Sequence, residues 1–150
     1  MHDLERLIDE ISLRMRLIKA AEEANTPLDD LTDREVLILE LLNERGKLSI
    51  SEIAAAFSRV AASTISVTIT KLWRGKGLVV KTIPPGNQRV TTVELSAKGK
   101  EAVAAIKRGR AERYRTLIRA LDMEAEEHEL LKSIVARAVE HFDQRLGLAK

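Results

Sequence analysis

The sequence predicts a mainly α-helical protein with one small β-hairpin, and three observations carry that prediction. Apolar residues recur at helical spacing through most of the chain. Two capping boxes stand in quick succession, and Val/Thr-rich stretches flank a Pro-Pro-Gly turn. Composition agrees. With 150 residues and 45% hydrophobic content the chain can bury one proper core. At 3% aromatics that core is built from Leu, Ile, Val and Ala, which suits packed helices.

A first long helix is expected from Asp3 to about Glu23, with Leu4, Leu7, Ile8, Ile11, Met15 and Ile18 on one stripe and Asp3 accepting from first-turn amides. Asn25-Thr26-Pro27 breaks the pattern, because Pro lacks a donor and disfavours helix in the residue before it. Thr32 and Glu35 then form a capping box, with Leu31 and Val36 at staple positions, opening a helix that turns Leu37, Ile38, Leu41 and Leu42 inward. Gly46 supplies the left-handed residue that commonly ends a helix. Ser49 and Glu52, with Leu48 and Ile53, repeat the device for a short helix to about Phe57.

A third helix follows from Ala62 to Lys76, closed by Gly75 and Gly77, and Val60 and Ala61 stand where a capping side chain would be expected. Its start therefore falls at Ser63 or depends on tertiary contacts. Three helices in this order make a helix-turn-helix arrangement. Strands are expected over Leu78–Ile83 and Gln88–Leu95, around a Pro84–Asn87 turn, so a wing follows the third helix directly. A long helix after Ser96 carries Val103, Ile106, Tyr114, Leu117, Ile118 and Leu121. A last helix, capped by Asp122, carries Leu130, Leu131, Ile134, Val135, Ala138, Val139 and Phe142.

The third helix is the candidate for function. Ala62, Ile65, Ile69, Leu72 and Trp73 share its core-seeking face. Ser63, Thr64, Val67, Thr70, Lys71 and Arg74 point the other way, with Ser66 and Thr68 on the flanks. That outer face is small, hydroxyl-rich and cationic, and it has no carboxylate. It fits a DNA major groove: hydroxyls bond bases or phosphates, Val67 can touch a thymine methyl, and Lys71 and Arg74 reach phosphates. An ordinary solvated helix would show a similar pattern, and the neighbouring wing decides for DNA. The net charge of +2 adds nothing to this, so the basic footprint is local. Lys107, Arg108, Arg110, Arg113 and Arg115 read as a solvated helix face.

At this point the whole chain resembles the multiple antibiotic resistance regulator (MarR) family of winged-helix transcription factors. The residues that carry the resemblance are LTDREVLILELL, LSISEIAAAF, STISVTITKLWRGKGLV and NQRVTTVELSAKGK. The resemblance implies a homodimeric DNA-binding regulator, a repressor or an activator, with a repressor the first expectation, whose winged modules read two half-sites of a pseudo-palindromic operator in double-stranded DNA. It also implies a small anionic or aromatic effector held between the dimer helices and the winged modules, at residues the sequence leaves unknown. Ser63, Thr64, Ser66 and Lys71 match the family's recognition-helix pattern, and Arg89 matches its wing-tip Arg. Two positions depart. Val67 stands where Arg or Lys is common, and Asn87 replaces an Asp two residues before the Arg, so any ion pair orienting Arg89 becomes a neutral hydrogen bond.

The expected layout is one domain over 1–150: a winged helix-turn-helix at about 31–95, flanked by N- and C-terminal dimerisation helices at about 3–24 and 96–146. Leu4, Leu7, Ile8, Ile11, Ile134, Val135, Ala138 and Phe142 are the expected dimer contacts. The competing reading is a winged-helix protein-interaction module, for which an apolar outer face would be expected instead of a cationic one. No enzyme is expected. His2, His128 and His141 are far apart, no nucleophile and base pair up, and the glycines form no phosphate-binding fingerprint. No cofactor or metal is expected, since Cys is absent and no short His/Asp spacing supports a site. No apolar run approaches membrane-spanning length and the charged N-terminus is no signal peptide, so a cytoplasmic protein is expected.

Overall fold

The computed structural model describes residues 2–22, 30–86 and 90–148. The expected break at Asn25-Thr26-Pro27, the end of the wing turn at Asn87, and the start of the second strand lie outside the described residues. The chain divides into two compact units, Met1–Thr32 and Asp33–Lys150. The first holds α1, His2–Glu22, with no buried residue; its stripe of Leu4, Leu7, Ile8 and Ile11 is exposed. Asp3 sits inside the first turn rather than at its cap, where a carboxylate still faces the positive end of the helix.

The second unit runs α2 (Asp33–Arg45), β1 (Leu48–Ser49), α3 (Ile50–Ala55), α4 (Ala62–Thr70), β2 (Val79–Thr82), β3 (Thr92–Leu95), α5 (Ala97–Leu121) and α6 (Ala125–Leu146). Its core joins Ile38, Leu39 and Leu42 of α2, Ile53 of α3, Ile65 and Ile69 of α4, Val79 and Val93 of the sheet, and Val103 of α5. Of the expected α2 stripe, Ile38 and Leu42 are buried and Leu41 is half-buried, while Leu37 points outward at 54% exposure and Leu39, on the same face as the buried Glu35, takes its place in the core.

Ser49 caps α3 as the sequence predicts. The Glu52 amide donates to Ser49 Oγ at 3.1 Å and the Ser49 amide donates to Glu52 Oε1 at 3.0 Å. Ser49→Ala is expected to cost about 1 kcal/mol, read as a lowered urea midpoint with an unchanged slope. At α4 the missing cap is real. Ala61 holds the N-cap position with backbone alone, its carbonyl accepting from Thr64 and Ile65 at 3.0 and 3.2 Å. Ala62, expected in the core, is exposed in that first turn.

The wing is larger than the predicted hairpin. β1, β3 and β2 form one antiparallel sheet in that order, with Leu48 opposite Val93 and Val79 opposite Leu95. A two-residue strand has no periodicity to detect, and both of its residues had other roles in the sequence pattern. Leu78 lies outside the ladder because its amide donates to Leu72 O at 2.9 Å.

Ser96 caps α5, its Oγ accepting from the Gly99 amide at 3.0 Å and donating to Gly77 O at 2.7 Å. Gly99 is a close approach: a Cβ there would drive into the Leu78 carbonyl oxygen and stand 3.3 Å from Leu95 Cδ2. Asp122 does not start the last helix. It ends α5 in the left-handed region (φ 46°, ψ 51°), a conformation Asp tolerates better than most residues, and Glu124 holds the N-cap of α6. Its amide donates to Glu127 Oε1 at 3.0 Å. Arg110 of α5 binds Glu40 of α2 through two hydrogen bonds, at 2.6 and 3.0 Å, and Arg45 of α2 lies 3.8 Å from Asp143 of α6. No helix among the described residues is long and apolar enough to cross a membrane.

Candidate nucleic-acid interface

α4 and the turn after it position the candidate site. Ile65, Thr68, Ile69 and Leu72 are buried, which fixes the opposite face toward solvent. Ser63, Thr64, Val67, Lys71 and Arg74 are exposed on it, and Ser66 and Thr70 are half-buried at its edges. Neither α4 nor the following turn contains a carboxylate. Thr68 has turned inward, its hydroxyl donating to Thr64 O at 2.9 Å, which removes it from the outer surface. Thr70 donates to Ser66 O at 3.0 Å, so its oxygen is left to accept.

The predicted continuous helix is not α throughout. Lys71–Gly75 is a π-helical turn in which the Lys76 amide donates to Lys71 O at 3.1 Å. Such wide turns are often found at functional sites. Here Trp73, expected in the core, is only half-buried. Arg74 Cζ lies 4.7 Å from its ring centroid and Lys81 Nζ, from the wing, 5.0 Å. Lys81 also donates to Thr70 Oγ1 at 3.3 Å.

The end of the turn is pinned from two sides. Lys76 Nζ lies 3.1 and 3.0 Å from the two carboxylate oxygens of Glu35, which is 4% exposed, while Lys98 donates to Lys76 O at 3.1 Å. Sequence reading gave Glu35 to a cap and missed this buried ion pair, as it missed Lys81. The signal for Lys81 was available: strand period places it on the face of the buried Val79. Asn87 and Arg89 of the wing tip lie outside the described residues.

The basic run on α5 is partly consumed by structure. Arg110 is tied to Glu40, and Arg115 donates to Glu112 at 2.9 Å. That hydrogen bond and the Arg115 charge hold the Glu112 carboxyl below its usual pKa. Lys107 and Arg108 remain exposed. The expected dimer residues are exposed as well, with Ile134 at 44%, Val135 at 52% and Phe142 at 57%, and no residue of α6 is buried.

The model of the MarR family matches residues 31–91, from the entry to α2 through the segment that leads into β3. The match spans 61 of the 150 residues, the helix-turn-helix and the first part of the wing. Three solved structures share the fold of nearly the whole chain. FabT of Streptococcus pneumoniae, in complex with DNA, superimposes with a TM-score of 0.77 at 15% identity, covering 95% of this chain and 97% of its own. A MepR mutant from a multidrug-resistant S. aureus clinical isolate gives 0.72 at 24% identity, covering 92% and 96%. A MarR-like transcriptional regulator from Thermotoga maritima gives 0.67 at 24% identity, covering 93% and 96%. No curated protein matches the chain. Within the matched segment α4 packs against α2 and α3, and its other side is open to solvent.

Proposed function

We propose that the chain is a dimeric, sequence-specific DNA-binding transcriptional regulator, a repressor released from DNA by a small anionic or aromatic effector. The observation that carries this reading is the exposed, cationic, carboxylate-free face of α4 in a MarR-family winged helix. The DNA complex of the similarly folded FabT supports it. The protein is a regulator rather than an enzyme, and it works in the cytoplasm, where its operator is accessible.

Ser63, Thr64, Ser66 and Val67 face base edges, and Thr70, limited to accepting, faces a base amino group rather than a phosphate oxygen. Lys71 and Arg74 hold the backbone. Asn87 and Arg89 reach into a flanking minor groove, where a narrow A·T-rich stretch attracts an Arg. Residues 31–95 act as the reading head, and residues 3–24 and 96–146 supply the dimerisation helices, with Leu4, Leu7, Ile8, Ile11, Ile134, Val135, Ala138 and Phe142 in the interface.

Selection of binding sites from random duplexes by the purified protein tests the reading. Enrichment of a two-fold symmetric sequence is the expected result, and failure to retain any duplex overturns it. Lys71→Ala is expected to weaken selected and unrelated duplexes alike and to lower the salt dependence by about one phosphate per half-site. A loss confined to the selected sequence would instead make Lys71 a base reader.

A further inference from the structure

Lys81 enters no part of the site read from the sequence, yet the fold brings it to the end of α4. It lies on β2 opposite Val93, on the sheet face that carries Val79. Its ammonium is 3.3 Å from Thr70 Oγ1 and 5.0 Å from the Trp73 ring centroid, and the Arg74 guanidinium is 4.7 Å from the same centroid. The Thr70 hydrogen is committed to Ser66 O, so a lone pair is held toward Lys81. Two cations therefore gather on one indole, within about 10 Å of each other. Among the described residues neither forms an ion pair with a carboxylate.

Two cations held this close raise the local positive potential, and an anion that reaches either is attracted by both, more so at low salt. The ring limits the rotamers of both long side chains before any ligand arrives, so less freedom is lost on binding. The guanidinium offers a planar fork for a phosphate and the ammonium a point charge. The cluster stands where the C-terminal end of α4 meets β2. A DNA strand that follows the exposed face of α4 to its C-terminal end would pass this point.

We propose that Arg74 and Lys81, ordered on the Trp73 ring, form a binding site for one DNA backbone phosphate in each half-site, with Thr70 aiming Lys81. The proposal rests on the DNA-binding reading above and adds Lys81 and Trp73 to it. Lys81 supplies charge without sequence preference, and Trp73 supplies order without charge.

The two roles separate in salt titrations on a selected and an unrelated duplex. Lys81→Met is expected to weaken binding to both about tenfold at low salt and to reduce the slope of log affinity against log salt by about 0.9 per half-site. Lys81→Arg is expected to keep the slope. Trp73→Leu, which retains an apolar side chain, is expected to weaken binding with the slope unchanged. Thermal melts of each variant report the fold. In wild type, replacing single phosphates by methylphosphonates locates the contacted position, and that replacement is expected to cost less in Lys81→Met, where Arg74 alone faces it. A Lys81→Met slope equal to wild type, or no phosphate position whose replacement costs less in the variant, overturns the proposal while leaving DNA binding intact. Wild type that binds neither duplex overturns the DNA-binding reading itself, and this proposal with it.

Discussion

Gly99→Ala is expected to lower the melting temperature by about 6 °C. The added methyl would meet the Leu78 carbonyl oxygen, and behind it the carbonyl carbon at 3.1 Å, so backbone would have to move. That same carbonyl accepts the Ser96 amide at 3.0 Å, and Ser96 is the cap of α5, so a shift at Leu78 loosens the cap as well. Helix propensity works the other way, since Ala is favoured over Gly by about 1 kcal/mol in a helix interior. Overpacking against backbone outweighs it, at about 3 kcal/mol, and a domain of this size loses several degrees per kcal/mol. Differential scanning calorimetry checks the result. A melting temperature at or above wild type would show that the junction yields without cost.

Ile134→Asp combined with Phe142→Asp is expected to convert a dimer into a folded monomer at micromolar concentration. Both side chains are roughly half exposed in the single chain, so a carboxylate there is hydrated and costs the protomer little. In a two-fold interface each change occurs twice, and burying unpaired carboxylates costs several kcal/mol. Each 1.4 kcal/mol is tenfold in the dissociation constant, so a loss of at least a thousandfold is expected. Sedimentation velocity reads the mass, and far-UV circular dichroism reads the helix content. Wild type sedimenting as a monomer under the same conditions would overturn the dimeric architecture.

Much of the fold was legible because its local rules are strong. The Ser49/Glu52 box and the apolar period of α4 appear where the sequence predicts them. What escaped are features set by contacts distant in sequence. The partner of the buried Glu35 is Lys76, 41 positions away, and no local pattern points to it. A two-residue strand gains identity only from its partner β3, and a π turn replaces an α turn without altering the apolar pattern. Asp122 reads as an N-cap because Asp favours that position, and the left-handed C-cap it fills instead is visible only in the backbone. On the candidate surface, helical period placed Val67, Lys71 and Arg74 outside correctly, but it could not show that Thr68 turns in or that Lys81 arrives from another element.

The short strand β1 changes what the wing is mechanically. An isolated hairpin of four-residue strands is marginal in water and would fluctuate about its base. Leu48 and Ser49 clamp β3 from the side away from β2, and Ile50 adds a bond from its amide to Thr91 O at 3.3 Å. Because Ser49 is also the N-cap of α3, the clamp ties the wing to the first turn of that helix. A pull on the wing is therefore borne by the helix-turn-helix itself. The described part of the hairpin behaves less as a flexible arm than as a cantilever, its direction set at the root by α3.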